Sequence, residues 1–151
     1  MRGPEIEKKE IMSLIEGELE NINQLLQEMG ECRGNDKISR RAKGSILHDF
    51  YNGCERIFEI IARRINGGMP NTEQWHRILL HQMTIEIKEV RPPVISKKLA
   101  AELADYLSFR HLFRNIYGFE LESDRLDRLV EKFENVIISF KKEILDFVKK
   151  L

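Results

Sequence analysis

The stretch Phe109-Arg110-His111-Leu112-Phe113-Arg114-Asn115-Ile116-Tyr117-Gly118-Phe119-Glu120 gathers the groups of this sequence best suited to holding an anion and moving a proton. Arg110 and Arg114 stand four residues apart and Tyr117 follows three later, so all three share one face of a helix turning about 100° per residue. His111 and Asn115 repeat the four-residue spacing on the adjoining strip. Guanidinium groups grip oxyanions with two parallel hydrogen bonds, and an imidazole changes charge near neutral pH.

The helix that carries these groups begins near Ser96, where Leu99, Leu103, Tyr106 and Leu107 form an apolar stripe. Arg110, Arg114 and Tyr117 continue that stripe without a change of direction, while Phe109, Leu112, Phe113 and Ile116 cover the remaining side. Charge on an inward face requires an acid partner, a wet cleft or an anion, because burying it alone is costly. Two readings follow. Either the strip is an anion site, or Arg110 and Arg114 pair with glutamates of the acidic first helix, with His111 on the surface and Tyr117 an anchor at the helix end.

The other elements read as helices. Ile6, Ile11, Leu14, Ile15, Leu19, Ile22, Leu25, Leu26 and Met29 recur at helical spacing from Pro4 to Met29, before Gly30. Ile46 to Ile65 sustains an i, i+3, i+4 pattern in a second helix from about Asp36, stopped by Gly67-Gly68. Gly44 and Gly53 interrupt it where another helix comes close. Asn71 is read as the cap of a short helix carrying Trp75, Ile78, Leu79 and Met83, with Gln74 three residues on. Thr84–Ile95, with Pro92-Pro93, is a loop that either functions or docks through Ile85, Ile87 and Val94. After a helix capped by Ser96, Ser123 caps a last helix reaching the end. Its apolar positions exceed one stripe, which suggests contact with a second protomer. The whole reads as an all-α antiparallel bundle of four long helices and one short one, a single domain over 1–151.

Net charge is zero, so no global field attracts nucleic acid or membrane. Residues 5–31 nevertheless hold eight Glu against Lys8 and Lys9, and 33–43 hold five cations against Asp36 alone, so any polyanion site is a local patch. Cys32 and Cys54 lack metal-ligand spacing, and four scattered His complete no ligand set. With no apolar run near the ~18 residues of a membrane span, the expectation is a reduced, soluble, cytoplasmic chain.

The segments FRHLFRNIYGFEL (109–121) and LHDFYNGCERIFEII (47–61), with NTEQWHRILLHQM (71–83) after the second, resemble the HEPN superfamily, and within it the HepT-like ribonuclease toxins. The resemblance implies a HEPN-like helical bundle over residues from about 5 to 151, often dimeric and restrained by a nucleotidyltransferase antitoxin. It also implies metal-independent RNA cleavage, with no cofactor. The family motif is an Arg, four to six residues, a His and, in many toxins, a Tyr two places later. Arg110 and Tyr117 match, whereas Asn115 stands where the His is expected. Either His111 supplies the imidazole from another place on the helix, or the protein keeps the fold and anion-binding face as a non-catalytic nucleotide- or RNA-binding subunit. In the catalytic reading Arg110, His111 and Tyr117 act at the phosphate, and Arg114 and Asn115 bind substrate. Tyr117 is also a possible target for nucleotide modification by the antitoxin.

Other polar residues are assigned blander roles. His48 reads as structural unless it reaches the cleft, and His76 and His81 are poorly spaced for a shared metal. Trp75 reads as core or interface, and Arg40-Arg41 and Arg63-Arg64 as solvated helix-end charges with RNA contact a lesser alternative.

Overall fold

The computed structural model describes residues 3–115 and 123–151, apart from the side chains of 112–115 and 123. Among them are five α-helices and no strand: α1 Pro4–Glu31, α2 Lys37–Ile61, α3 Trp75–Gln82, α4 Lys97–Asn115 and α5 Ser123–Lys149. Only an isolated bridge between Ile87 and Arg91 departs from helix and loop. The expected all-α bundle is the observed one, with differences at the ends of its elements.

Ile11, Ile15, Leu19 and Ile22 of α1 pack into the core, whereas Ile6 and Leu14 of the expected stripe are exposed. Gly53 marks a close approach of α1 to α2. A Cβ there would lie 3.0 Å from Ile22 Cγ1. Helix α2 is the central element, burying Leu47, Phe50, Tyr51, Cys54, Ile57, Phe58 and Ile61 completely. Phe50 meets Tyr106 of α4 and Phe133 of α5 edge to face, both at 5.2 Å between ring centroids. Tyr106 donates its hydroxyl to the Leu129 carbonyl at 2.7 Å, satisfying the one polar atom of that cluster.

The second helix does not continue as α-helix to Ile65. It passes into a π-helical turn, Ala62–Asn66, and ends at Gly67, whose φ of 94° is the left-handed conformation glycine adopts freely. The third helix starts at Trp75 rather than at Asn71, with Gln74 at its cap position and no side-chain cap. Ser96 caps α4 as expected, its Oγ accepting the Leu99 N–H at 3.1 Å and donating to Glu143 of α5 at 3.0 Å. Most of the apolar positions of α5 pack inside this chain, while Ile138 is exposed. Leu126, Leu129, Phe133, Val136, Ile137, Phe140, Ile144, Phe147 and Val148 are all buried.

The loop 84–95 docks through Val94 as expected, joined by Ile95, and not through Ile85. Ile85 is 44% exposed, while Val94 and Ile95 are buried and donate their N–H groups to the Met83 carbonyl. Its anchor is Arg91, a buried cation with four neutral acceptors. Nε donates to Asn66 Oδ1 at 2.7 Å, Nη1 to the carbonyls of Ile85 and Pro92, and Nη2 to that of Gln82. The carbonyls at the end of α3 carry the negative end of the helix dipole and help to offset the missing carboxylate. Burial pushes the Arg91 pKa down from its ordinary value.

Candidate functional site

Arg110 is reached by continuing the inward face of α4 one turn beyond Tyr106 and Leu107, and its side chain is 5% exposed. The acid that meets it is Glu55 of α2, not a glutamate of α1. Arg110 Nη1 donates to Glu55 Oε1 at 3.0 Å and Nη2 to Oε2 at 3.3 Å, a fork-to-fork pair. Nη1 also donates to Asn52 Oδ1 at 2.7 Å, and the guanidinium lies 4.9 Å above the centre of the Tyr51 ring. Tyr51, Asn52 and Glu55 come from one turn of α2, so a single helix face supplies the ring, the amide and the carboxylate. Burial, followed by the nearby Glu55 charge, drives the Tyr51 phenol far above its ordinary pKa.

The fourth partner comes from α3. His76 Nδ1 lies 2.8 Å from Glu55 Oε2 and 3.0 Å from Arg110 Nη2. Its ring stacks on Trp75 with centroids 3.7 Å apart, and Trp75 packs partly buried against the core. Asn52 extends the network outward, its Nδ2 lying 3.3 Å from His48 Nδ1.

Arg110 and His76 of this network line a cleft of about 570 Å³, Arg110 at its floor, whose walls also include Glu73, Gln74, Arg77, Ser108, His111 and Arg125. A second hollow of about 360 Å³ adjoins it, sharing Arg77, Leu107 and Ser108 and running past Ala104 and Ala100 to Lys97. The two form one trough between α3 and α4. Arg77, Arg110 and Arg125 stand against Glu73, with Glu55 behind Arg110, and two imidazoles face the same space. Such a trough can hold a phosphate ester and exchange protons with it.

A family model described as HepT-like protein matches residues 42–151. The chain belongs to the HepT-like HEPN family. No curated protein and no solved structure matches it. The HepT-like match takes in Glu55, His76, Arg110 and Arg125, hence every residue of the cleft described above, and leaves α1 outside.

Of the residues singled out on the motif, Arg110 and His111 are placed in the cleft, one on its floor and the other, exposed, on its wall. Arg114 and Asn115 lie in α4, with Arg114 one helical turn past Arg110, but their side chains are outside the described residues, and so is Tyr117. Sequence reasoning missed Glu55, Asn52 and His76. Glu55 carried a usable signal, since it is the one carboxylate within the apolar face formed by Tyr51, Phe58 and Ala62 at helical spacing. His76 carried none, because only the packing of α3 on α2 and α4 brings it to Arg110, 34 residues along the chain.

Two lesser expectations met different ends. Arg40 and Arg64 form surface ion pairs, with Asp127 at 3.3 Å and Glu10 at 3.0 Å. Cys32 and Cys54 are unbridged, and no group of three potential metal ligands occurs among the described residues.

Proposed function

We propose that this HepT-like protein is the toxin of a toxin–antitoxin module, a metal-independent endoribonuclease that uses the trough between α3 and α4. The observation that carries the reading is Arg110. A charged residue is held at the floor of an open cleft by Glu55, Asn52 and His76, at the position where the family motif places its Arg. Cleavage by attack of the 2′-oxygen needs a proton acceptor, a proton donor and positive charge at the phosphorane. His111 and Arg110 are the motif's own contributions, with Tyr117 at the phosphate and Arg114 and Asn115 on the strand. Arg77 and Arg125 add charge at the rim, and the hollow leading to Lys97 offers a path for single-stranded RNA along α4.

The family resemblance further supports a homodimer that joins two such troughs, and a nucleotidyltransferase antitoxin for which Tyr117 is a modification target. The toxin would then act in the cytoplasm on cellular RNA, as one domain spanning the chain.

One observation favours a second reading, that of a non-catalytic nucleotide- or RNA-binding subunit. The guanidinium fork of Arg110 is already engaged by Glu55 and Asn52, with His76 close beside it, so it can grip a phosphate only by giving up one of these partners. The two readings separate on incubating the purified full chain with total RNA in EDTA. The ribonuclease reading expects cutting that is lost in His111→Ala and in Arg110→Ala, each checked for retained helicity. Binding of RNA without cutting by the wild type would favour the second.

A further inference from the structure

We infer that His76 is a catalytic residue of this cleft, taking the proton from the RNA 2′-hydroxyl on its Nε2, with Glu55 and Arg110 as the residues that position it. The inference deepens the ribonuclease reading above and rests on it.

The shorter of the two contacts at His76 Nδ1 assigns the tautomer. Glu55 Oε2, at 2.8 Å, can only accept from Nδ1, since a lone pair facing a carboxylate at that distance would be repulsive. Arg110 Nη2, at 3.0 Å from the same nitrogen, has Oε2 itself as an alternative acceptor at 3.3 Å and does not need the imidazole. Nδ1 therefore carries the hydrogen, and Nε2 carries the lone pair. Nε2 has no partner among the described residues, and the side chain is 32% exposed on the cleft wall. A carboxylate that orients an imidazole through Nδ1–H and leaves Nε2 as the base is the arrangement general-base catalysis uses. Here the carboxylate is itself clamped by the Arg110 fork, and the ring is stacked on Trp75, so neither turns away. Arg110, with its fork engaged by Glu55 and Asn52, acts chiefly by holding this pair.

The step balances within the cleft. Nε2 takes the proton of the 2′-hydroxyl, the 2′-oxygen forms a bond to phosphorus, and the bond from phosphorus to the 5′-oxygen breaks. The 5′-oxygen leaves with a proton from the His111 imidazolium. The products are a 2′,3′-cyclic phosphate and a 5′-hydroxyl, and no oxidant, reductant or metal enters. Arg77 and Arg125 face the charge that builds on the phosphorane.

The test uses the full chain, RNA and EDTA. His76→Ala is expected to cut about 10²–10⁴-fold more slowly than wild type while remaining folded. Added imidazole is expected to restore part of that rate, which a merely structural clasp on Glu55 would not allow. His76→Gln, whose amide can still reach the carboxylate, keeps the test valid if the alanine variant unfolds, and it is expected to be equally slow. Nitrogen-15 spectra of the wild type should show the neutral His76 ring protonated on Nδ1. Cutting by a folded His76→Ala or His76→Gln at the wild-type rate overturns the inference and leaves the ribonuclease reading standing. So does a folded, inactive His76→Ala that imidazole does not restore, or a ring protonated on Nε2. A wild type that cuts no RNA overturns both.

Discussion

Removing Glu55 should be among the most damaging single changes to the fold, and the size of the effect follows from what surrounds Arg110. The two side chains are 5% and 9% exposed, so the pair is buried, and its formation energy is largely cancelled by desolvation. Breaking it is a different matter, because Glu55→Ala leaves a guanidinium beneath the surface with only Asn52 and His76 as partners. Uncompensated buried charge costs about 3–5 kcal/mol, out of the roughly 5–15 kcal/mol that holds a domain together. At about 2–4 °C per kcal/mol for a chain of this size, the melting temperature should fall by roughly 10 °C. Arg110→Met should cost a similar amount by stranding the carboxylate. The double variant Glu55→Met, Arg110→Met should recover most of the loss, because two apolar groups of similar volume replace the pair. Urea unfolding of the wild type, Glu55→Met, Arg110→Met and the double completes the cycle. The exposed pair Arg40–Asp127, with Asp127 60% exposed, is the internal control and should contribute under about 1 kcal/mol. If Glu55→Ala costs no more than that control, or the double variant is worse than both singles, the argument from burial is wrong.

Three further outcomes are expected. Arg91→Ala removes four hydrogen bonds from one cation and strands Asn66 and three carbonyls, so it should cost about 3 kcal/mol and raise hydrogen exchange across 84–95. Burial raises the Tyr51 and Tyr106 phenols, so titration at 295 nm should find at most one of the three tyrosines ionising before the chain unfolds. The sign for stability follows: these two phenols cost nothing below the unfolded value near pH ~10, and above it each removes about 1.4 kcal/mol per pH unit as the unfolded chain alone ionises. The Cys54 thiol is fully buried, with its pKa pushed up by burial. A disulfide reagent should therefore modify half-buried Cys32 in the native protein and reach Cys54 only on unfolding.

The helices were legible because their burial obeys one period. The stripe of α4 ran from Leu99 to Arg110 as the spacing required, and Gly53 marked the close approach of α1 through Ile22. Element ends were less so. The start of α3 at Trp75 and the π-helical turn at Ala62–Asn66 depend on contacts made across the fold, the latter placing Asn66 against Arg91. Much of the apolar surplus of α5 packs within the chain, because that helix meets α1, α2 and α4 and so buries more than one stripe. At the site, a motif confined to one helix named Arg110 and His111, while the partners that hold Arg110 come from α2 and α3. Glu55 could have been found as a charge on an apolar face. His76 could not, since a histidine beside a tryptophan on a short helix looks the same in sequence whether it packs or reacts.

The most direct test of the central claim is single-turnover cleavage, in EDTA, of an RNA oligonucleotide carrying one 2′-deoxy sugar at the mapped cut site. Attack by the 2′-oxygen within this cleft requires the unmodified strand to be cut, leaving 2′,3′-cyclic phosphate and 5′-hydroxyl ends, and the modified strand to survive at that position. Equal cutting of both strands, or no cutting of either, would contradict it.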